Sequence, residues 1–298
     1  VSPYSSLISA GVVLLFVLIT LALPTGSAAW IDAARTFVTF FFGWWYVVLA
    51  GFFLVFLIAI SISKYGTLRL GDADERPKYS YFTWFAMLYA AGQGIGIIFW
   101  SIAEPVFHYS GGTPFSDAKG NAEAADMALQ VAFFHWGLNA WAIYCVVALA
   151  LALVCYRLKK PLGIRYTLYP LLGDRVEGGV GVLIDVIAVF ATVFGIATSL
   201  GLGVTQINAG LNYIWGVPIS PAVQLVLIAV ITAIALSSVL SGLDRGIKWL
   251  SQVNMWLTIV LLVFFFVLGP TLFLFADLGK ITLSYLFNLI TFNLYIEA

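Results

Sequence analysis

A helix needs about 20 predominantly apolar residues to cross a bilayer, and seven stretches of this chain meet that length: 7–24, 41–63, 82–108, 128–156, 182–213, 221–242 and 250–276. No buried core takes up so many such runs. A water-soluble domain carries about 25% charged residues, whereas this chain has 9% charged and 62% hydrophobic residues among its 298. Strands of a membrane barrel would read as alternating segments of about ten residues, a pattern that runs such as 146–154 lack. The expected fold class is therefore all-α, a polytopic membrane helix bundle with seven spans. The first run has neither a basic leader nor a small-residue cleavage site after it, so it reads as a span and not as a signal peptide.

Lysine plus arginine and aspartate plus glutamate number 14 each, so no net field draws nucleic acid, and the charges are informative by position. Lys64, Arg69, Arg76 and Lys78 follow the second run; Arg157, Lys159, Lys160, Arg165 and Arg175 follow the fourth; Arg245 and Lys248 follow the sixth. Only Arg35, Lys119 and Lys280 fall in the alternate loops. The positive-inside rule then places the N-terminus in the cytoplasm and the end of the seventh span outside, in a multi-pass arrangement in the cell's inner (plasma) membrane. Beyond that span, 278–292 mixes Lys280, Thr282, Ser284 and Asn288 with apolar residues and reads as an interfacial amphipathic helix; the alternative is the start of an eighth span. Cys145 and Cys155 lie in one apolar run, about 15 Å apart along a helix axis, too far to pair. The chain opens on Val1 and ends at Ala298 without a polar tail, which reads as part of a longer protein.

Three segments carry candidate chemistry. In Ala90-Ala91-Gly92-Gln93-Gly94-Ile95-Gly96, three alternate glycines each weaken a helix by about 1 kcal/mol relative to alanine, and a helix break is expected. Irregular backbone is tolerated in a bilayer only inside protein or against a cavity, where transporters use it to hold ions; close helix packing through small residues is the plainer alternative. In His135-Trp136-Gly137-Leu138-Asn139-Ala140-Trp141-Ala142-Ile143-Tyr144, helical spacing puts Trp136 and Tyr144 about 80° apart, so that both can look into one cavity from successive turns. A quaternary ammonium has no N–H to donate and is recognised by aromatic faces, although such rings in a membrane helix also serve packing. Thr192, Thr198 and Ser199 offer hydroxyls on the fifth span, either to a cation or back to the preceding turn. Glu104 stands before Pro105 at the end of the third span, as a gate or an ion-pair partner, and Asp185 reads as a charge favoured near a helix N-terminus. No zinc motif, nucleophile elbow or phosphate loop is present, so no enzyme is indicated.

The segment Gly242-Leu243-Asp244-Arg245-Gly246-Ile247-Lys248-Trp249-Leu250-Ser251-Gln252-Val253-Asn254 most specifically, with support from the glycine segment, Ala103-Glu104-Pro105, the 135–144 segment, Phe194-Gly195 through Gly203, and Leu268-Gly269-Pro270-Thr271, carries a resemblance to the betaine/carnitine/choline transporter family. It implies two N-terminal helices with a cytoplasmic loop (1–81), the first five-helix repeat of a LeuT-like inverted-repeat transporter (82–276), and a linker helix (277–298) toward a second repeat. It implies a secondary transporter, substrate walls at Trp136, Trp141 and Tyr144, and approach of substrate to Gly92, Gly94 and Gly96. Sodium is the implied coupling ion, met by Ala90 and Gln93 carbonyls and by Thr192; relatives that couple to sodium carry a second hydroxyl where Ile196 stands. Glu104, Arg245 and Lys248 are expected in gating or structure. Choline-type relatives carry an acid where Gly96 stands, so the implied function is Na⁺-coupled import of a zwitterionic osmolyte such as glycine betaine, with no cofactor, in a homotrimer. The alternatives are H⁺-coupled choline or carnitine transport, or a membrane sensor for the same ligand.

Overall fold

The chain is described by a computed structural model over residues 3–72 and 74–295. Among the described residues twelve α-helices follow one another: α1 Pro3–Ala22, α2 Pro24–Ile62, α3 Tyr81–Gly92, α4 Ile95–Gly111, α5 Ala122–Trp136, α6 Leu138–Ala152, α7 Ile164–Thr167, α8 Tyr169–Leu172, α9 Gly179–Trp215, α10 Pro221–Leu240, α11 Lys248–Leu268 and α12 Thr271–Leu294. Two π-turns, Leu153–Arg157 and Leu243–Ile247, extend α6 and lead into α11. Among the described residues there is no strand, only an isolated bridge between Thr113 and Ser116.

The protein is a multi-pass helical membrane protein. Among the described residues seven stretches are long and apolar enough to cross a bilayer, and the bent pair α3–α4 would make an eighth. Six of the seven coincide with apolar runs in the sequence. The seventh is α12, which at 24 residues is long enough to span.

Several boundaries differ from the sequence expectation. The second span is part of a 39-residue helix, roughly 58 Å long against a hydrocarbon layer of about 30 Å. Its first turns hold Asp32 and Arg35, paired at 2.8 Å, and these charges hide the helix from a hydropathy reading. The last expected span, 250–276, stops at Leu268, because Gly269 is extended and Pro270 follows it; α12 therefore starts at Thr271 and not at 277.

The contacts sort into two units. The first takes in the chain up to Glu75, Phe134–Gly195, and the chain from Phe287. In it α2 packs along α6, and Phe16 of α1 meets Phe194 of α9 edge-on at 4.7 Å. The second takes in Arg76–Phe133 and Ile196–Leu286, with α3 packed against α11. There Phe82 lies 5.3 Å from Trp256 and the Gln252 amide donates to the Thr83 hydroxyl at 2.8 Å. Gly242 ends α10 at φ +84°, a left-handed conformation that glycine adopts without a Cβ penalty.

Many buried positions in both units are small or polar, among them Ser5, Ser27, Thr83, Ala86, Ala128, Asn139 and Ser251, while most large aliphatic and aromatic side chains face outward and a few, such as Leu54, Ile281 and Phe292, are enclosed. Such a pattern differs from a soluble core, where large apolar side chains dominate the interior. Lipid is as apolar as leucine, so helix association depends on close approach and hydrogen bonds.

Candidate functional site

The glycine segment breaks its helix where expected. The Gln93 N–H caps α3 by donating to the Tyr89 carbonyl at 2.8 Å, Gln93 and Gly94 are extended, and α4 resumes at Ile95 on an axis bent by 61°. A helix end leaves its last carbonyls and the next helix its first N–H groups without intrahelical partners. The carbonyls of Ala90, Ala91 and Gly92 thus stand at the negative end of α3, and the N–H groups of Ile95 and Gly96 at the positive end of α4. The Gln93 side-chain oxygen is buried without a hydrogen-bond partner, an arrangement that costs about 1–3 kcal/mol. Gly203 of α9 lies so close to Ile95 that a Cβ would overlap the isoleucine side chain; glycine there lets α9 seat against the first turn of α4.

The aromatic segment is also interrupted. Gly137 leaves helical conformation at φ −95°, ψ −136°, so Trp136 ends α5 while Trp141 and Tyr144 ride on α6. The continuous-helix estimate of 80° between Trp136 and Tyr144 is corrected by this break. The segment is nonetheless tied together: the Trp141 indole N–H donates to the Trp136 carbonyl at 3.1 Å, and the Trp141 and Tyr144 rings lie 5.8 Å apart. Trp141 is 36% and Tyr144 63% exposed, so both rings are open to a ligand or to lipid.

Thr192 sits on α9 in the first unit and donates to the Ala188 carbonyl at 2.7 Å. Its proton is used in back-bonding, and its oxygen keeps acceptor capacity. Ala90 and Gln93 belong to the second unit.

Glu104 is 7% exposed and faces His108 one turn on, with Oε1 3.6 Å from Nε2. Pro105 does not stop the helix: α4 runs on to Gly111. The proline removes a single backbone hydrogen bond.

In the glycine-rich signature Asp244, just ahead of the basic positions expected to act, makes a clasp of its own. Its carboxylate accepts from the Lys78 ammonium at 2.8 Å and from the Tyr79 hydroxyl at 2.7 Å, while Arg245 lies exposed in the π-turn. The hydrogen bond to Asp244 holds the Lys78 ammonium and the Tyr79 phenol protonated above their ordinary values of 10.5 and 10.0. Both donors are complete below those values, and the clasp is lost as pH rises through the raised ones. Asp244→Asn should return the Lys78 amine toward its ordinary value and speed its acylation at fixed alkaline pH. An unchanged rate would mean that the clasp does not form.

Asp185 is not a helix-terminal charge. Helix α9 begins at Gly179, and Asp185, 8% exposed, is held by Arg165, 5% exposed. Arg165 donates to Asp185 Oδ2 from both Nε, at 2.8 Å, and Nη2; Nη2 also donates to the Ser5 hydroxyl at 2.9 Å, and Nη1 to the Val176 carbonyl at 3.3 Å. Sequence reading missed this network, although a lone acid inside an apolar run is itself a signal for a buried partner. It also missed Asn139, whose Nδ2 donates to Asn293 Oδ1 at 2.5 Å.

Together these features define a multi-pass helical membrane protein with a discontinuous helix and an aromatic helix segment. The chain belongs to the betaine/carnitine/choline family of transporters: a family model described as betaine/carnitine/choline family transporter matches residues 5–298. Its similar relatives include the "Probable glycine betaine transporter" of Desulfitobacterium hafniense (strain Y51), 42% identical over 95% of this chain and 57% of the relative. The "Glycine betaine transporter OpuD" of Bacillus subtilis (strain 168) is 45% identical over 87% of this chain and 50% of the relative. The "High-affinity choline transport protein" of Escherichia coli (strain K12) is 41% identical over 92% of this chain and 40% of the relative. The chain thus spans about half the length of these curated relatives. Members of the family are transporters and not enzymes.

Proposed function

We propose that the complete protein imports a zwitterionic quaternary-ammonium osmolyte, glycine betaine foremost, by Na⁺-coupled symport with alternating access. The observation that carries this reading is the broken α3–α4 helix at Gln93 and Gly94, in a chain whose relatives include named glycine betaine transporters. Trp136, Trp141 and Tyr144 would supply cation–π walls for the trimethylammonium group. Gly92, Gly94 and Gly96 would let backbone approach the substrate. Gly96 provides no counter-charge, which suits a ligand whose own carboxylate balances its ammonium. Sodium would meet the Ala90 and Gln93 carbonyls, oxygen donors at the negative end of α3; Thr192, in the other unit, is a separate candidate oxygen for sodium. One charge moving through 100 mV supplies about 2.3 kcal/mol, enough to drive accumulation.

In the same reading 82–276 forms the first five-helix repeat, the N-terminus faces the cytoplasm of a plasma-membrane protein, and three copies assemble. Glu104 with His108 would stabilise the end of α4, and the Asp244 clasp beside Arg245 and Lys248 would hold the N-terminal ends of α3 and α11 together. Choline is the second candidate, because the choline transport protein of Escherichia coli is 41% identical.

The test is uptake of labelled glycine betaine and choline by cells producing the complete reading frame, with Na⁺ present or replaced by N-methylglucamine. The expected result is betaine uptake that requires Na⁺, with choline a poor competitor. Preferred choline uptake would overturn the substrate, and betaine uptake indifferent to Na⁺ would overturn the coupling. Tight binding without uptake would make the protein a sensor.

A further inference from the structure

Helix α6 carries Trp141 and Tyr144, and Gly137 interrupts the helix between α5 and α6, so no unbroken ladder of helical hydrogen bonds fixes the register of α6 to that of α5. A contact just past the break can hold it. Asn139, two residues past the break, is 5% exposed and bonded at 2.5 Å to Asn293 of α12, all within the first unit.

The hydrogen-bond chemistry determines which way both amides point. Asn293 Nδ2 donates to the Leu289 carbonyl at 2.8 Å, so its Oδ1 is the end that faces Asn139. That oxygen only accepts, and Asn139 must therefore present its NH₂. The consequence is that Asn139 Oδ1 is left buried with no partner. Helix α2 makes room for the pair: at Gly51 a Cβ would come within 2.8 Å of Asn293 Oδ1. Ahead of the break Phe134, three residues before Gly137, packs on Phe292 at 5.4 Å.

An apolar pair of the same shape would serve stability as well or better, since replacing both hydrogen-bond partners is close to neutral, whereas a buried acceptor without a donor is a net cost. The amide pair gains direction: it ties the first turn of α6 to one point on α12.

We propose that Asn293 is a positioning residue for substrate recognition, acting through Asn139 to hold the Trp141 and Tyr144 face of α6 in register. This rests on the reading of Trp136, Trp141 and Tyr144 as substrate walls. It makes α12 a determinant of affinity without touching substrate.

The experiment uses the complete reading frame in native-like membranes. Protein amount, glycine betaine Kd from quenching of tryptophan fluorescence at saturating Na⁺, and uptake KM and kcat are measured for Asn293→Leu, Asn139→Leu and Asn293→Ser. A serine at 293 donates its hydroxyl proton to the Leu289 carbonyl, as helical serines commonly do, and still accepts from Asn139. Asn293→Leu and Asn139→Leu should each raise Kd and KM about tenfold, the equivalent of one lost buried hydrogen bond, with kcat and protein amount little changed. Asn293→Ser should restore affinity to within about threefold of the native protein. If Asn293→Leu does not accumulate, Gly51→Ala, which crowds Asn293 Oδ1 and leaves both amides in place, takes over as the test and should raise Kd in the same direction.

Native affinity in Asn293→Leu, or in Gly51→Ala where that variant is used, overturns the proposal. So does a serine variant as weak as the leucine one, because the effect would then be volume and not hydrogen bonding. Trp136→Ala, Trp141→Ala and Tyr144→Ala run alongside. If none of the three weakens binding, the reading of the aromatic segment fails; if they do and the asparagine variants do not, only the positioning role fails.

Discussion

Asp185→Leu should destabilise the protein by about 3–5 kcal/mol, the cost of removing one partner of a buried ion pair and stranding the other. The stranded group would be Arg165, which at 5% exposure has no water to turn to and keeps only Ser5 and the Val176 carbonyl. The guanidinium stays charged at any accessible pH, so it cannot escape by losing a proton. Arg165→Met alone should behave similarly by leaving the carboxylate bare. Arg165→Met with Asp185→Leu should recover most of the loss, because a buried pair replaced by apolar groups is often neutral. Melting of the detergent-solubilised protein checks all three variants. Additive losses in the double variant would mean that the two side chains do not act as a pair. The network joins the first turn of α1, α7, the turn before α9 and α9 itself within the first unit. The expected phenotype is therefore loss of folded protein and not altered selectivity.

Trp136→Ala should weaken glycine betaine binding by about 0.5–2 kcal/mol, the range of a cation–π contact as it becomes desolvated, a rise in Kd of about two- to thirtyfold. Trp136→Phe should lose less, since a smaller ring still offers a negative face. The main-chain carbonyl of Trp136 holds the Trp141 indole at 3.1 Å, and this bond survives both substitutions. A change in affinity would thus report the ring and not a displaced Trp141. Equilibrium binding to the complete reading frame, with protein amount matched, decides it. Equal affinity in Trp136→Ala removes Trp136 from the substrate walls and leaves Trp141 and Tyr144 to carry the recognition.

Much of the architecture was legible because a bilayer imposes a simple rule. A chain must satisfy its backbone inside hydrocarbon, so spans are long apolar helices, and the runs corresponding to α1, α9 and α10 stand within a few residues of the helices found. The break at Gln93 and Gly94 was legible for the same kind of reason: alternate glycines weaken a helix whatever surrounds them. The break at Gly137 was not. One glycine among aromatics carries no such signal, and treating 128–156 as one straight helix put Trp136 and Tyr144 on a common wheel that the chain does not follow.

Charges were where sequence reasoning and structure parted. Counting Lys and Arg orients a membrane protein without reference to acids, so Asp244 was passed over beside Arg245 and Lys248 although it binds Lys78 and Tyr79. Asp185 was placed at a helix end because its partner is 20 residues away in a separate short helix.

The sequence by itself determined the solvent this chain belongs in, the helical class, nearly all the spans and the position of the main helix break, because each follows from local composition and from the cost of unsatisfied backbone in lipid. Tertiary structure alone decided the partners: Arg165 for Asp185, Asp244 for Lys78, Asn293 for Asn139. Such pairs join residues 20 to 166 positions apart in the chain, and among so few buried polar groups a partner is chosen by which helices can approach closely enough to share a hydrogen bond.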